Sequence, residues 1–226
     1  MGKRGPKPEG KVKVEWSANF AYAIGLLVTD GSLSKDGRHI CFTSKDKEQI
    51  NNFKKCLNIR KIKTGINFGK DKIQSAYRSQ FGDVSFYKFL NSIGITSNKS
   101  LTIGKLEIPE KYFFDFLRGS LDGDGSFYSY WDKRWKSSFM FYLEFISASK
   151  KHIDWLREEL KCRLSISGHI TKDGRGRTFQ LKYAKREALE IIKKMYYDKK
   201  VMCLSRKKLK IEKALKINHK QQQTYS

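Results

Sequence analysis

Acidic residues are scarce in this chain: 23 Asp and Glu stand against 47 Lys and Arg among 226 residues, for a net charge of +24. A field that positive disfavours cationic partners and favours polyanions, nucleic acid above all. The basic residues are spread along the whole chain, which argues against an anionic membrane surface. No apolar run reaches the ~20 residues that span a bilayer. The opening Met-Gly-Lys-Arg-Gly-Pro-Lys-Pro lacks the apolar stretch of a secretory signal. Cysteine and histidine are also sparse and scattered. Cys41, Cys56, Cys162 and Cys203 form no C-x-x-C pair, and none of His39, His152, His169 and His219 completes a zinc set. The cysteines are therefore expected to be reduced thiols, mostly buried. A His-based nuclease centre and a zinc finger are both excluded.

What is present is enough apolar residue for an ordinary core, 39% hydrophobic with 13% aromatic, arranged as a repeat. Ala21-Tyr-Ala-Ile-Gly-Leu-Leu-Val-Thr-Asp-Gly-Ser-Leu is an apolar helix-like run that stops at Asp30-Gly-Ser. Phe114-Asp-Phe-Leu-Arg-Gly-Ser-Leu-Asp-Gly-Asp-Gly-Ser-Phe does the same at Asp124-Gly-Ser. Downstream, the stretch from Phe42 to Leu57 aligns without a gap on the stretch from Phe145 to Leu160. In each a strand leads into an amphipathic helix, with Ile50, Phe53 and Leu57 on one face and Ile153, Leu156 and Leu160 on the other copy's face. Strands are expected over Ala76–Phe81 and Thr178–Tyr183, and helices over Val84–Ile93 and Glu187–Tyr196. Lys99-Ser-Leu-Thr-Ile and Lys207-Lys-Leu-Lys-Ile close the two copies.

Each copy thus reads αββαββα, an α+β class with a curved antiparallel sheet in each half. The expected divisions are a flexible basic arm over 1–14, a first repeat over 15–105, a linker over 106–112, a second repeat over 113–216 and a tail over 217–226. The second copy is longer within Tyr128-Ser-Tyr-Trp-Asp-Lys-Arg-Trp-Lys-Ser-Ser, read as a lengthened hairpin.

The two repeat starts resemble the signature of the LAGLIDADG homing endonucleases of the single-chain, two-motif type. Ala23-Ile-Gly-Leu-Leu-Val-Thr-Asp-Gly31 fills the nine positions in the first copy, and Leu117-Arg-Gly-Ser-Leu-Asp-Gly-Asp-Gly125 fills them in the second. The resemblance implies that the motif helices pack side by side at the centre, with Gly25 and Gly119 letting the backbones approach. It implies that Asp30 and Asp124 deliver carboxylates to a shared metal site, assisted by the backbone carbonyls of Thr29 and Gly123. It also implies a basic residue beside each carboxylate; Lys99 and Lys207 fill matching places, with Arg206 and Lys208 competing for the second. Two departures stand out: Val28 replaces an earlier Asp of the signature, and Arg118 occupies a position that is usually small and apolar, where it is expected to shift the fit of the helices. A calcium loop over Asp122-Gly-Asp-Gly-Ser is excluded, because Phe127 and Lys133 stand where an EF-hand needs Gly and Glu.

The chemistry agrees with the resemblance. Mg²⁺ takes hard oxygen ligands and keeps several waters, and phosphodiester hydrolysis needs an activated water with charge neutralised on the phosphate. Mg²⁺ is the expected cofactor, with Mn²⁺ able to replace it and Ca²⁺ supporting binding without cutting. Strand alternation places Ser32, Ser34, Arg38, His39, Thr43, Asn67, Arg78 and Gln80 on a polar face of the first half. It places Ser126, Tyr128, Tyr130, Tyr142, Thr178, Gln180 and Lys182 on that of the second. Lys70, Lys72, Lys133, Arg134, Lys136, Lys172, Arg175 and Arg177 fall in expected hairpin turns and suit phosphates. The expected activity is a staggered double-strand break in a long asymmetric DNA target, made by a monomer without a protein or membrane partner, intron-associated or free-standing. A binding protein of the same fold, either an RNA maturase or a DNA-binding protein that does not cut, is the alternative.

Overall fold

The computed structural model describes residues 10–68, 74–135 and 138–224. The first unit runs α1 (Ala18–Asp30), β1 (Gly31–Leu33), β2 (His39–Ser44), α2 (Lys47–Cys56), β3 (Thr64–Phe68), β4 (Gln74–Gly82), α3 (Val84–Ser92) and a one-turn α4 (Lys99–Thr102). The second runs α5 (Phe113–Gly123), β5 (Ser126–Trp131), β6 (Phe139–Ser147), α6 (Lys150–Leu164), β7 (His169–Lys172), β8 (Phe179–Ala184), α7 (Lys185–Met195) and α8 (Ser205–Thr224). The αββαββα reading holds in both. Each unit carries a four-stranded antiparallel sheet, ordered β1-β2-β4-β3 and β5-β6-β8-β7. The lengthened hairpin is the β5–β6 pair, in which both strands exceed their counterparts β1 and β2.

Local chemistry sets the element boundaries. Ser17 caps α1 by accepting from the Phe20 amide at 3.1 Å, and Asp83 caps α3 by accepting from the Phe86 amide at 2.9 Å. β2 alternates between half-buried and buried residues along its length. Ile40, Phe42 and Phe81 therefore pack inward on α2 and α3, while His39, Cys41 and Thr43 face out. Phe127, Phe141, Leu143, Leu181 and Tyr183 do the same in the second sheet.

The most extensive contact between elements is that of α1 with α5. A Cβ on Gly25 would lie 2.1 Å from the Phe116 carbonyl oxygen, and one on Gly119 would lie 2.1 Å from that of Tyr22. Only glycine allows backbones this close, so the two helices are locked at these positions.

Arg118 does not disturb that contact. Its side chain turns into the second unit, fully buried. It donates to the Asp115 carboxylate at 2.6 Å and the Met202 carbonyl at 2.8 Å, and also to the Met195 carbonyl. It thereby ties α5 to the loop before α8.

Several boundaries differ from the sequence expectation. Residues 1–9 of the basic arm lie outside the described residues, but Val12 is docked: its side chain is buried and its amide donates to Asp83 at 2.9 Å. The linker is packed as well, with Leu106 buried and the Glu107 amide bonded to the Ile93 carbonyl. The expected tail over 217–226 is helical to Thr224. Glutamine is a good helix former, and buried Ile211, Ala214 and Asn218 continue one face past the last strongly apolar turn. The cysteines are free, but three are half-buried and Cys162 is exposed. Among the described residues, no helix is long and apolar enough to cross a membrane.

Candidate active site at the ends of the central helices

α1 ends on Asp30, and Asp124 caps the end of α5. Because the helices are pinned together at Gly25 and Gly119, their ends are held together too. A Cβ on Gly123 would meet the Thr29 side chain, which shows how closely the residues before the two aspartates abut. The result is a crossed arrangement with two cavities. One is lined by Asp30, Gly123, Gln49 and Arg206. The other is lined by Asp124, Thr29, Lys99, Ser120, His152 and Thr178. Each carboxylate therefore shares its cavity with the residue preceding the aspartate of the other helix.

Both carboxyls are partly desolvated. Burial, with repulsion from Asp124, pushes Asp30 up to about 6, while Lys207 and Lys99 oppose the shift. Burial also raises Asp124, again opposed by Lys99 and Lys207. The two lysines are themselves held down to about 8 by burial. Both carry their ammonium groups to helix C-terminal carbonyls, where orphan acceptors and the dipole favour a cation. Lys99 donates to the Val28 carbonyl at 2.6 Å and the Thr29 carbonyl at 3.4 Å. Lys207 reaches those of Leu121, Asp122, Gly123 and Gly125 at 2.5, 2.9, 3.1 and 2.7 Å. The two rivals for the second place do not reach the helix-end carbonyls: Arg206 lines the Asp30 cavity and pairs with Asp46 at 3.0 Å, and Lys208 donates to the Lys199 carbonyl.

Two carboxylates and two backbone carbonyls form an all-oxygen set that fits a hard divalent cation. Among the described residues no group of three or more His, Cys, Asp and Glu that could hold a metal ion assembles. The Thr29 and Gly123 carbonyls already each accept from a lysine; a carbonyl has a second lone pair to offer.

Three neighbours were not foreseen. Gln49 donates to Asp30 at 3.5 Å and accepts from Ser44 at 2.6 Å. His152 stands at the aligned position of the second copy, but turns its Nδ1 to the Gly104 carbonyl at 2.9 Å. Burial holds its imidazole down to about 4. The gapless alignment of the two copies pairs these residues, and that pairing was the available signal. Asp122 is the third. It accepts from the Tyr22 hydroxyl at 2.8 Å and the Leu204 amide at 2.6 Å. It is a buried brace between the units, and Val28 in the first copy needs no such partner.

The expected DNA-facing residues separate into three groups. Ser32, His39, Thr43, Asn67, Arg78 and Gln80 share the open face of the first sheet, and Ser126, Tyr128, Tyr130, Tyr142, Gln180 and Lys182 that of the second. Ser34 and Arg38 belong to the β1–β2 turn instead, and Thr178 precedes β8 and lines the Asp124 cavity. Lys133 and Arg134 lie in the β5–β6 turn, with Lys172, Arg175 and Arg177 at the β7–β8 turn. Lys70, Lys72 and Lys136 lie outside the described residues.

Residues 17–98 match the model of the LAGLIDADG-like domain. Most of the chain shares its fold with solved homing endonucleases. One is I-WcaI bound to its DNA recognition sequence, at 15% identity and TM-score 0.59 over 86% of each chain. Another is I-DmoI in complex with DNA and Mn, at 16% identity and TM-score 0.51 over 80% of this chain and 97% of that one. The N-terminal LAGLIDADG domain of DUF199/WhiA has the same fold, at 15% identity and TM-score 0.54 over 85% of this chain and 89% of that one. No curated protein matches the chain in sequence.

Proposed function

We propose that this protein is a site-specific endonuclease that cuts both strands of a long asymmetric DNA target by metal-dependent phosphodiester hydrolysis. The observation that carries the reading is the crossed pair of desolvated carboxylates, Asp30 and Asp124, held at the joined ends of α1 and α5. Each lies immediately before a strand of its own sheet, so a duplex along the two open faces brings its phosphates to both. Asp30 and Asp124, with the carbonyls of Gly123 and Thr29, are the residues that would hold Mg²⁺ or Mn²⁺. When bound, such a cation lowers the pKa of a water and neutralises charge on the phosphate. Lys99 and Lys207 fix the helix ends and add positive potential beside the carboxylates. Gln49 orients Asp30, while His152 stays neutral and bonded to the Gly104 carbonyl.

I-WcaI bound to its DNA recognition sequence and I-DmoI in complex with DNA and Mn share this fold, which supports the reading. The match to the WhiA domain keeps open a reading of binding without cutting, by a protein of the same fold. The test is incubation of the purified protein with a plasmid library in Mg²⁺, Mn²⁺, Ca²⁺ or excess chelator. Single-site double-strand breaks in Mg²⁺ or Mn²⁺, binding alone in Ca²⁺ and no cutting in chelator are expected. Binding with no cleavage in any metal would move the conclusion to the non-cutting reading.

A further inference from the structure

The open faces of the two sheets carry opposite kinds of chemistry. On the first, Arg78 and Gln80 are exposed, stand opposite Thr43 and Cys41, and have no hydrogen-bond partner among the described residues. Their donors and acceptors are free for base edges.

On the second, the polar groups are engaged with one another. Lys182 is paired with Glu144 at 3.1 Å. Thr171 donates to Gln180 at 3.2 Å. What this face presents outward is ring and aliphatic surface. Tyr128 and Tyr142 stack at 5.4 Å with rings 18° apart, and Tyr130 and Tyr142 at 6.4 Å and 5°. Met140 and Ile146 extend the same face, in register with Tyr130 and Gln180. A ladder of three tyrosines on paired strands is also stiff, since each ring is held by the next.

We infer that the second sheet recognises its half of the DNA target through the 5-methyl groups of thymine in the major groove, whereas the first sheet recognises hydrogen-bonding base edges. This rests on the DNA-binding reading above. The major groove offers a code of donors and acceptors, and its one apolar element is the thymine methyl. A surface on which Lys182 and Gln180 are already engaged, and which exposes stacked tyrosine rings beside Met140 and Ile146, matches that element. Lys133 and Arg134 at one end of the sheet, and Lys172, Arg175 and Arg177 in the turn at its opposite end, supply the cations that seat a phosphate backbone beside it. The chemistry also separates DNA from RNA, because uracil lacks the methyl.

The experiment uses the full chain. A target is selected from a randomised duplex pool in Ca²⁺, and its halves are assigned by which end Arg78→Ala and Tyr142→Ser each relax. Thymines are then replaced by deoxyuridine one half at a time, a change that removes only the methyl. The half assigned to Tyr142 should lose about three- to fivefold in affinity per contacted thymine, from the burial of one methyl group. The half assigned to Arg78 should be nearly indifferent. Tyr142→Ser, checked to melt like the parent, should remove the sensitivity to deoxyuridine. Indifference to deoxyuridine in both halves would overturn the inference and leave the endonuclease reading standing. Preference for an RNA duplex would overturn it as well, and absence of any duplex binding would sink both readings.

Discussion

Gly25 and Gly119 occupy equivalent places in the two halves, as do Asp30 and Asp124, and Lys99 and Lys207. Arg78 with Gln80 on one open sheet and Tyr128, Tyr130 and Tyr142 on the other have no such correspondence. The difference follows from what constrains each region. Between α1 and α5 the backbones approach so closely that a single methyl would overlap a carbonyl oxygen at 2.1 Å, and that geometry admits one residue type. The open faces need only alternate with a buried face, a requirement that arginine and tyrosine meet equally well. The proposed chemistry sits where change is forbidden, and the proposed recognition sits where change costs little stability.

The largest test of the symmetric part is Asp30→Asn beside Asp124→Asn. Each removes a charge that a hard cation needs and preserves size. Cleavage should fall at least about 100-fold, since a metal centre supplies several kcal/mol of barrier lowering. Binding in Ca²⁺ should change by no more than a few fold. A strand-resolved assay on end-labelled duplex sharpens the comparison. Loss of one strand's cut in each variant would mean the two halves work independently, and loss of both would mean they share a metal. Either variant cutting both strands at the parental rate would show the active site to be elsewhere.

Next in size is overpacking of the helix crossing. Gly25→Ala and Gly119→Ala should each cost about 3 kcal/mol or more, because the added methyl meets backbone that has no rotamer to change. For a chain of this length that amounts to roughly 6–12 °C in melting temperature. The two losses should be similar. A tolerated alanine at either position would mean that the crossing is looser than 2.1 Å implies and the equivalence of the halves weaker.

A smaller asymmetry is built into the lysines. Lys207 serves four carbonyl oxygens and Lys99 two. Replacing either by methionine keeps the length and leaves carbonyls at a helix end without a donor. The cost should be about 1–3 kcal/mol, larger for Lys207→Met. Denaturant unfolding of the two variants settles the order. Equal losses would mean that the extra carbonyls around Lys207 contribute nothing.

The repeat made most of this legible. Two helical runs ending in Asp-Gly-Ser, followed by matching strand and helix patterns, located the carboxylates, the small residues at the crossing and both lysines. Periodicity also placed the tyrosines on the outer face. Other features depended on partners distant in sequence. Nothing local in Phe-Leu-Arg118-Gly shows that the guanidinium will find carbonyls at Met195 and Met202 and leave the helix crossing undisturbed. Lys182 looked like a free cation until the register of β6 against β8 set Glu144 opposite it. The glutamines of the tail carry no apolar period, yet a helix already begun is extended by residues of good propensity. Gln49 and His152 are aligned but carry no mark of function, and only their hydrogen bonds show that one meets the Asp30 carboxylate and the other the Gly104 carbonyl.

The smallest test concerns the cost of keeping a carboxylate at this site without a cation. Asp30 titrates near 6 in the folded chain, against about 3.9 for an aspartate in an unfolded one. Between those values the folded state holds a proton that the unfolded state has released. Stability contributed by this group is therefore present at low pH and declines as pH rises through that window, levelling off above about 6. Asp122 and Asp124 are also raised, so the slope of the parent alone does not isolate Asp30. The difference between the parent and Asp30→Asn does. In chelator the two should be about equally stable near pH 4, and the variant should be more stable by about 1–2 kcal/mol at pH 7.5. Adding Mg²⁺ should raise the melting temperature of the parent more than that of the variant, because a ligand that binds only the folded state stabilises it by mass action. Unfolding curves at the two pH values, with and without Mg²⁺, measure each quantity. A variant less stable than the parent at pH 7.5 in chelator would mean that Lys99 and Lys207 compensate Asp30 fully. The carboxylate would then be held by an ion-pair network, with no strain left for a cation to relieve.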